Sequence, residues 1–559
     1  MRGDHRGADI SNGSAGASPS RRLAGNPRHR REKGKHILLT AWWARMTRIT
    51  VWDGADCVGG NKILLQDRGL NLWLDFGQNL SRLMDYYEEF MKPQKSRGLY
   101  ELFVMGLLPP VGGIYHDRFH EHYPFHEWQY RLDEVHGVLV SHAHLDHAGD
   151  IQYLHADIPL VCSAESAVLL RALQDCGKDD YGTVYVRRFE QKEDEFRVMA
   201  WNRKEEILAT FRQVYTADDC SPQMHSFWEC LPNGYHEKCE RRPIQQMSDA
   251  INGHSVRFFP VDHSIPGAGA WAVETEAGWV VYTGDLRFRG ERRGLTERFL
   301  QEAAQLQPVA LLMEGTRISR EGSGYTEDDV QTHLDELLRQ HRDRLVVVNF
   351  SMTHLERLER FWNCARGHGR QIVVNPKDLY LLDAWRESGR DLKLDDGTLR
   401  LYLGIGRTSG EAWQKSLYER YGSLGITAQE IARSPADFLL CFGYFDLNEL
   451  PYLGVRDGVW VQSFSEPMTE EQRIDDARLN RWLQHFGWMR YPRRGDDEEK
   501  GVPLHVSGHA SAQELAHVVE TVRPKKLIPV HTTEQNLFSE RFAHLCDVVI
   551  PQTGREIVL

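Results

Sequence analysis

One run of ten residues constrains this chain more than any other: Ser141-His142-Ala143-His144-Leu145-Asp146-His147-Ala148-Gly149-Asp150, entered directly from the apolar stretch Gly137 to Val140. That stretch reads as a buried strand. On extended backbone, residues two apart face the same way, so His142 and His144 are predicted to reach one metal ion. A turn into a following helix would aim Asp146 and His147 at a second. Imidazole with carboxylate is the donor set of zinc, with manganese less suited to so many histidines. A lone buried histidine is more often a satisfied core residue. Three histidines and one aspartate within positions 142 to 147 ask for a metal instead.

Such a cluster needs further donors. His263 follows the apolar segment Ser255 to Pro260, Asp285 follows Trp279 to Thr283, and His531 ends Lys526 to Val530. Each alone reads as a loop residue. Recurring at predicted strand ends, they suggest a site built along one edge of a sheet sandwich.

With 559 residues the chain exceeds one ordinary core and is expected to form two or three domains. No stretch of about 18 apolar residues occurs, so no membrane span is expected. Nine cysteines, scattered and odd in number, suit a reducing compartment, and the expected location is the cytoplasm. The net charge of -12 argues against a general nucleic-acid coat. It leaves room for a local cationic groove and for bound metals, which would offset carboxylates. Residues 1–45 are expected to be a disordered basic tail, most of it rich in Gly, Ser, Arg and Asn, with Met46 a candidate natural start.

From Met46 to residue 322 short strands dominate: Thr47 to Val51, Lys62 to Leu65, Leu72 to Asp75, Gly137 to Val140, Ser255 to Pro260, Ala270 to Glu274 and Trp279 to Thr283, then Val309 to Met313. After residue 322 strands alternate with helices. Thr326 is positioned to cap a helix reaching Gln340, then follow Leu345 to Asn349, helix Thr353 to Arg366, Ile372 to Asn375 and helix Lys377 to Glu387. Alternation at this spacing predicts a parallel sheet and a second domain at 323–500. Residues 501–559 return to short strands, Pro503 to Val506 and Lys526 to Val530 among them, around a helix Ala512 to Thr521.

The whole set resembles the metallo-β-lactamase superfamily: Asp75 in Leu74-Asp75-Phe76-Gly77, the His-x-His-x-Asp-His run, His263, Asp285 and His531. Within it the chain is similar to the β-CASP nucleases. Their marks here are Glu314 after a strand, His509 in Ser507-Gly508-His509-Ala510-Ser511, and His531. The 507–511 segment looks closest to ribonuclease J, and the His142 to Gly149 run to the pre-mRNA 3′-end endonucleases. Where those members continue with Gly-Glu after the third histidine, this chain has Thr532-Thr533-Glu534.

The resemblance implies an α/β protein: an αββα sandwich with an inserted parallel α/β β-CASP domain. It implies two divalent ions, zinc before manganese, and hydrolysis of phosphodiester bonds in nucleic acid. Histidine at 531 favours single-stranded RNA over DNA. His142, His144 and His263 would hold one ion and Asp146, His147 and His531 the other, with Asp285 shared and Asp75 orienting ligands from behind. Asp146, Asp285, His509 and Glu314 would carry the chemistry, His509 meeting the scissile phosphate or leaving oxygen. Ser507 and Gly508, and Ser351 and His354 at a predicted helix start, are candidate phosphate contacts; ordinary capping is an equal reading of the latter pair. A homo-oligomer is open.

Other signals carry less. Cys220, His225, Cys230, His236 and Cys239 match no short zinc knuckle spacing, and His116, His120, His122 and His126 read as a polar loop. Competing functions are a small ester, thioester or lactone hydrolase, which leaves the insertion and the 507–509 signature idle, a DNA nuclease, and a silent scaffold, which the complete donor set opposes.

Overall fold

The computed structural model describes residues 46–492 and 503–559, apart from 89, 95–96, 117–124, 178–180, 188, 191–199, 202–208, 232–238, 323, 405–410 and 465–469. The expected tail 1–45, His120, His122 and His236 lie outside the described residues.

Two mixed sheets face each other. The first has eight strands in the order Gln245–Gln246, Val214–Thr216, Leu160–Cys162, Gly137–Leu139, Leu70–Phe76, Lys62–Asp67, Arg48–Asp53 and Glu556–Val558. The second has seven: Ala250–Ile251, His254–Pro260, Gly269–Thr275, Gly278–Tyr282, Ala310–Glu314, Lys526–Val530 and Asp547–Val548. Their inner faces share one dry layer. Ile49, Ile63, Leu72 and Leu74 of the first meet Trp271, Val280, Leu312 and Ile528 of the second, all at most 1% exposed.

Helices cover both outer faces. Ala164–Cys176 packs on the first sheet, and Arg293–Leu306 with Ala512–Val522 on the second. Helices Ala164–Cys176 and Arg293–Leu306 lie where the sequence reads mainly as strands. The result is the αββα sandwich. Ser163 and Ser511 cap two of these helices by accepting the N–H of Ser166 and Glu514.

A third sheet of seven strands is parallel throughout, in the order Gly425–Thr427, Leu399–Leu403, Gln371–Val374, Phe438–Cys441, Val346–Asn349, Val459–Gln462 and Met489–Tyr491. Its β-branched strands are buried on both faces, as helices on either side require. Thr326 opens helix Glu327–Gln340 with a reciprocal capping box to Asp329. This sheet interrupts the sandwich, whose second sheet leaves at Glu314 and re-enters at Lys526 as the parallel neighbour of the strand it left.

One expected strand is absent. Pro503 to Val506 forms no ladder; the Leu504 carbonyl accepts Ser463 Oγ at 2.6 Å and the Val506 carbonyl accepts Arg357 at 3.0 Å. Side chains from the parallel-sheet segment take up the backbone bonds that a strand would need.

Candidate metal centre

The strand Gly137–Leu139 delivers His142 and His144 to its carboxyl end, and helix Leu145–Ala148 begins on His144 as its cap. That turn swings Asp146 and His147 to the far side. The turn is held from below, where the Asp146 carbonyl accepts the N–H groups of Gly60 and Asn61 at 2.9 and 3.1 Å. Gly77 passes so close that a Cβ there would lie 1.7 Å from the Asp146 carbonyl oxygen, so only glycine fits after Phe76.

His263, Asp285 and His531 arrive from the ends of three strands of the second sheet. Their donor atoms meet the first cluster in two groups, His142, His144 and His263, and Asp146, His147, Asp285 and His531, and Asp285 and His531 also belong to a third with Glu314 and His509, the atoms of each group lying within 4.8 Å of one another. Asp285 Oδ2 sits at the middle. It is 3.0 Å from His147 Nε2, 3.7 Å from His142 and His263 Nε2, and 3.8 Å from His531 Nε2.

The chemistry of these atoms fits divalent cations. His144 Nδ1 lies 3.1 Å from His142 Nε2 and 3.2 Å from His263 Nε2, and three ring nitrogens converging so closely cannot all be satisfied by sharing protons. Burial pushes the imidazoles of His142 and His263 well below the ordinary value and His144 to about 4, so their lone pairs are free for a cation. His147 Nε2 and Asp285 Oδ1 are buried without a hydrogen-bond partner, a costly state that a coordinated ion relieves. This is a divalent-metal site.

Four of the five imidazoles are oriented through their other nitrogen. His142 Nδ1 lies 3.0 Å from Ser141 Oγ, His263 Nδ1 is 2.6 Å from the Gly508 carbonyl, and His531 Nδ1 is 2.8 Å from Thr316 Oγ1. Asp75 serves His147 at 2.7 Å and also accepts Ser141 N, Ser141 Oγ and Tyr282 OH at 2.6 to 2.7 Å. Asp75 stands at φ +57°, a strained conformation for a non-glycine residue, and four hydrogen bonds fix it there. Substituting Asp75 with alanine is expected to weaken metal binding about 10- to 100-fold, the usual loss when such a supporting group goes. Competition against a chromophoric chelator measures it, and unchanged affinity would remove Asp75 from the site.

The remaining expected residues are placed as follows. Glu314, fully buried, accepts the Leu286 N–H on one oxygen and faces His509 Nδ1 at 3.0 Å with the other. His509 Nδ1 is also 3.8 Å from Asp285 Oδ2. Burial alone would lower the His509 pKa, but Glu314 and Asp285 outweigh it and raise it to about 9. Ser507 Oγ accepts the His509 N–H, and Gly508 presses on Ser264 and His263. Ser351 faces a cavity beside the centre, its Oγ 2.9 Å from that of Thr353. His354 instead turns inward, 3.4 Å from Arg287 and 3.7 Å from Glu327, where it meets buried charges rather than a phosphate. None of Cys220, Cys230 and Cys239 belongs to a metal-type cluster among the described residues.

Sequence reasoning missed Ser141, Thr316 and Tyr282. It also missed a buried charge lattice behind the centre. Arg287 binds Asp262 at 3.0 Å and Glu327 at 2.9 Å; Glu327 in turn binds Arg357 at 2.6 Å, and Arg357 holds the carbonyls of Ser463 and Val506. All four charged residues are at most 2% exposed.

Comparison with known proteins agrees with this geometry. A model described as the metallo-β-lactamase superfamily matches residues 117–315, and one described as the Zn-dependent metallo-hydrolase RNA specificity domain matches 502–546. The parallel sheet lies between them. Ribonuclease J of Mycolicibacterium smegmatis is 24% identical over 429 residues, 73% of this chain but 60% of that protein. Ribonuclease J2 of Bacillus subtilis is 23% identical over 53% of this chain and 50% of its own length. Ribonuclease J of Pyrococcus abyssi is 22% identical over 92% of this chain and 95% of its own. The chain thus spans less than two thirds of several of these relatives. A crystal structure of an Enterococcus faecalis protein of unknown function shares the fold at a TM-score of 0.63 and 21% identity, covering 92% of this chain and 100% of that one.

Fold and donor set therefore define a member of the metallo-β-lactamase superfamily. The inserted parallel sheet and the 502–546 match narrow the likeness further, to the β-CASP proteins that resemble ribonuclease J. Among the described residues no helix is long and apolar enough to cross a membrane.

Proposed function

We propose that this protein hydrolyses phosphodiester bonds of single-stranded RNA with the help of two divalent ions, zinc before manganese. The observation that carries the reading is the His509–Glu314 pair. It places an imidazole, held by a carboxylate, 3.8 Å from the shared Asp285, inside the segment that matches an RNA specificity domain. A hydrolase of small esters has no use for that segment.

In this reading His142, His144 and His263 hold one ion, and Asp146, His147 and His531 the other, with Asp285 common to both. Bound ions would make a nucleophile available at neutral pH and stabilise the added charge on phosphorus. The chain's own groups do the rest. Glu314 keeps His509 charged and fixes its ring through Nδ1, which leaves Nε2 to hold a proton for the departing oxygen. Asp75, Ser141 and Thr316 keep the donor rings from rotating. Residues 323–500 form the inserted domain that walls the cleft, and 46–322 with 501–559 form the sandwich. Nine unbridged cysteines accord with the cytoplasm.

The test is incubation of 5′- and 3′-labelled single-stranded RNA and matched DNA with the protein plus zinc or manganese, beside a His144→Ala, Asp146→Ala double variant. Mononucleotide or laddered RNA products, absent with the variant, are expected and give the polarity. Intact RNA from a metal-loaded protein would overturn the reading, and preferential DNA cleavage would reassign the substrate.

A further inference from the structure

Glu327, in the inserted segment, holds two arginines whose further contacts both end on one metal donor, His263. It accepts Arg357 on both carboxylate oxygens, at 2.6 and 3.0 Å, and Arg287 at 2.9 Å. From there the two arginines diverge.

Arg287 leads to the backbone beside His263. Its Nε donates to Asp262 Oδ1 at 3.0 Å, and its own N–H donates to the Asp262 carbonyl at 2.8 Å. Thr296 Oγ1 accepts the Asp262 N–H and donates to the Arg287 carbonyl, both at 2.9 Å, while the Gly290 N–H donates to Asp262 Oδ2 at 2.8 Å. A Cβ on Gly290 would lie 2.3 Å from Arg287 and 2.4 Å from Asp262, so this knot has no room to shift. His263 is the next residue along the chain.

Arg357 leads to the ring of His263. It donates to the carbonyls of Ser463 and Val506 at 3.1 and 3.0 Å. Residues 503–506 join no sheet ladder, so side-chain bonds of this kind hold that backbone in place. Just beyond them the Gly508 carbonyl lies 2.6 Å from His263 Nδ1. The other braced donors rely on the sandwich. His142, His147 and His531 are steadied by Ser141, Asp75 and Thr316, and Leu286, the residue after Asp285, donates to Glu314.

We propose that Glu327 is a positioning residue for His263: it fixes the backbone and the ring of that donor from the inserted segment, so that the docking of this segment sets how tightly the ion of His142, His144 and His263 is held. The inference rests on the two-ion reading above and adds to it a dependence of one ion, and not the other, on contacts outside the sandwich. A donor ring free to swing binds more weakly, because the ion must first order it.

Chelator competition on the full-length protein, giving the stepwise zinc constants of wild type, Glu327→Gln and Arg357→Lys, tests it. Glu327→Gln keeps the shape and removes the charge; Arg357→Lys keeps a cation that cannot serve Glu327 and both carbonyls together. Each is expected to weaken one zinc constant about fivefold or more and to spare the other. Added to His263→Ala, neither should weaken that constant further, because the donor they position is gone. Tyr380→Phe removes a different bond between inserted segment and sandwich, the one to Asp175 at 2.8 Å, and should leave both constants unchanged. Circular dichroism verifies the folding of each variant. By reciprocity zinc must also steady the inserted segment, so amide exchange in helix Glu327–Gln340 should slow on zinc loading of wild type and not of His263→Ala, a comparison that needs no change at Glu327 or Arg357. Unchanged constants in folded variants, an equal fall in both constants, the same fall in Tyr380→Phe, or exchange indifferent to zinc overturns the proposal. A single zinc bound by wild type would instead count against the two-ion reading, and intact RNA from a protein holding two would count against the nuclease reading.

Discussion

Replacing Asp285 with alanine is expected to lower RNA cleavage by about 10³-fold or more, since a bound divalent ion contributes several kcal/mol to the transition state and each 1.4 kcal/mol or so is tenfold in rate. One carboxylate oxygen lies within 3.8 Å of ring nitrogens from His142, His147, His263, His509 and His531. Its removal leaves the imidazoles facing one another with no central negative charge. Metal content by atomic absorption should fall with activity. Cleavage retained within tenfold, or full metal content with no loss of rate, would show that the centre does not depend on the shared carboxylate. Asp285→Asn is the useful companion, because it keeps the shape and removes only the charge.

Glu327→Ala is expected to destabilise the fold by about 3 to 5 kcal/mol, the cost of leaving buried charges without their partner. Glu327 is the common counter-ion of Arg287 and Arg357, at 2.9 and 2.6 Å. Burial would raise its pKa, but Arg357, His354 and Arg287 hold it well below the ordinary carboxylate range. Truncation takes from the buried Arg357 its carboxylate partner and leaves the buried Arg287 to Asp262. A lower urea midpoint measures the loss. A midpoint equal to wild type would mean that water or another carboxylate replaces Glu327, and Glu356, 3.7 Å from Arg287, is the group to change next.

The two predictions differ in how visible their residues are in the sequence. His142, His144, Asp146 and His147 are legible because one strand-to-helix turn holds all four, and local backbone periodicity suffices to group them. His263, Asp285 and His531 are legible only as residues at strand ends, and the family resemblance supplies the pairing. Ser141, Thr316 and Tyr282 are ordinary residue types whose value lies in partners distant in the sequence: Ser141 and Asp75 are 66 residues apart, Tyr282 and Asp75 207, and Thr316 and His531 215. Glu327 reads as a favourable acid in a first helical turn, which it is; nothing local says that it faces two arginines.

The same division explains the errors. Pro503 to Val506 has strand composition but meets Ser463 and Arg357 before it can meet a strand. His354 has the position of a phosphate contact, at a helix start, and the side-chain direction of a core residue. Helices Ala164–Cys176 and Arg293–Leu306 escaped a reading that looked for strands, although Ser163 is a good cap for the first.

Strand Arg48–Asp53, first among the described residues, takes Glu556–Val558 as its outer neighbour, and the Arg48–Glu556 ion pair joins residues 508 positions apart. Asp146 and His531 meet across 385 positions. Contacts of such separation form late, because loop closure must precede them, whereas the parallel sheet draws on neighbours within its own segment. A chain emerging from the ribosome therefore carries every donor of its first cluster long before it has a working centre. The second donor group stays incomplete until His531 has been made and has met Asp146.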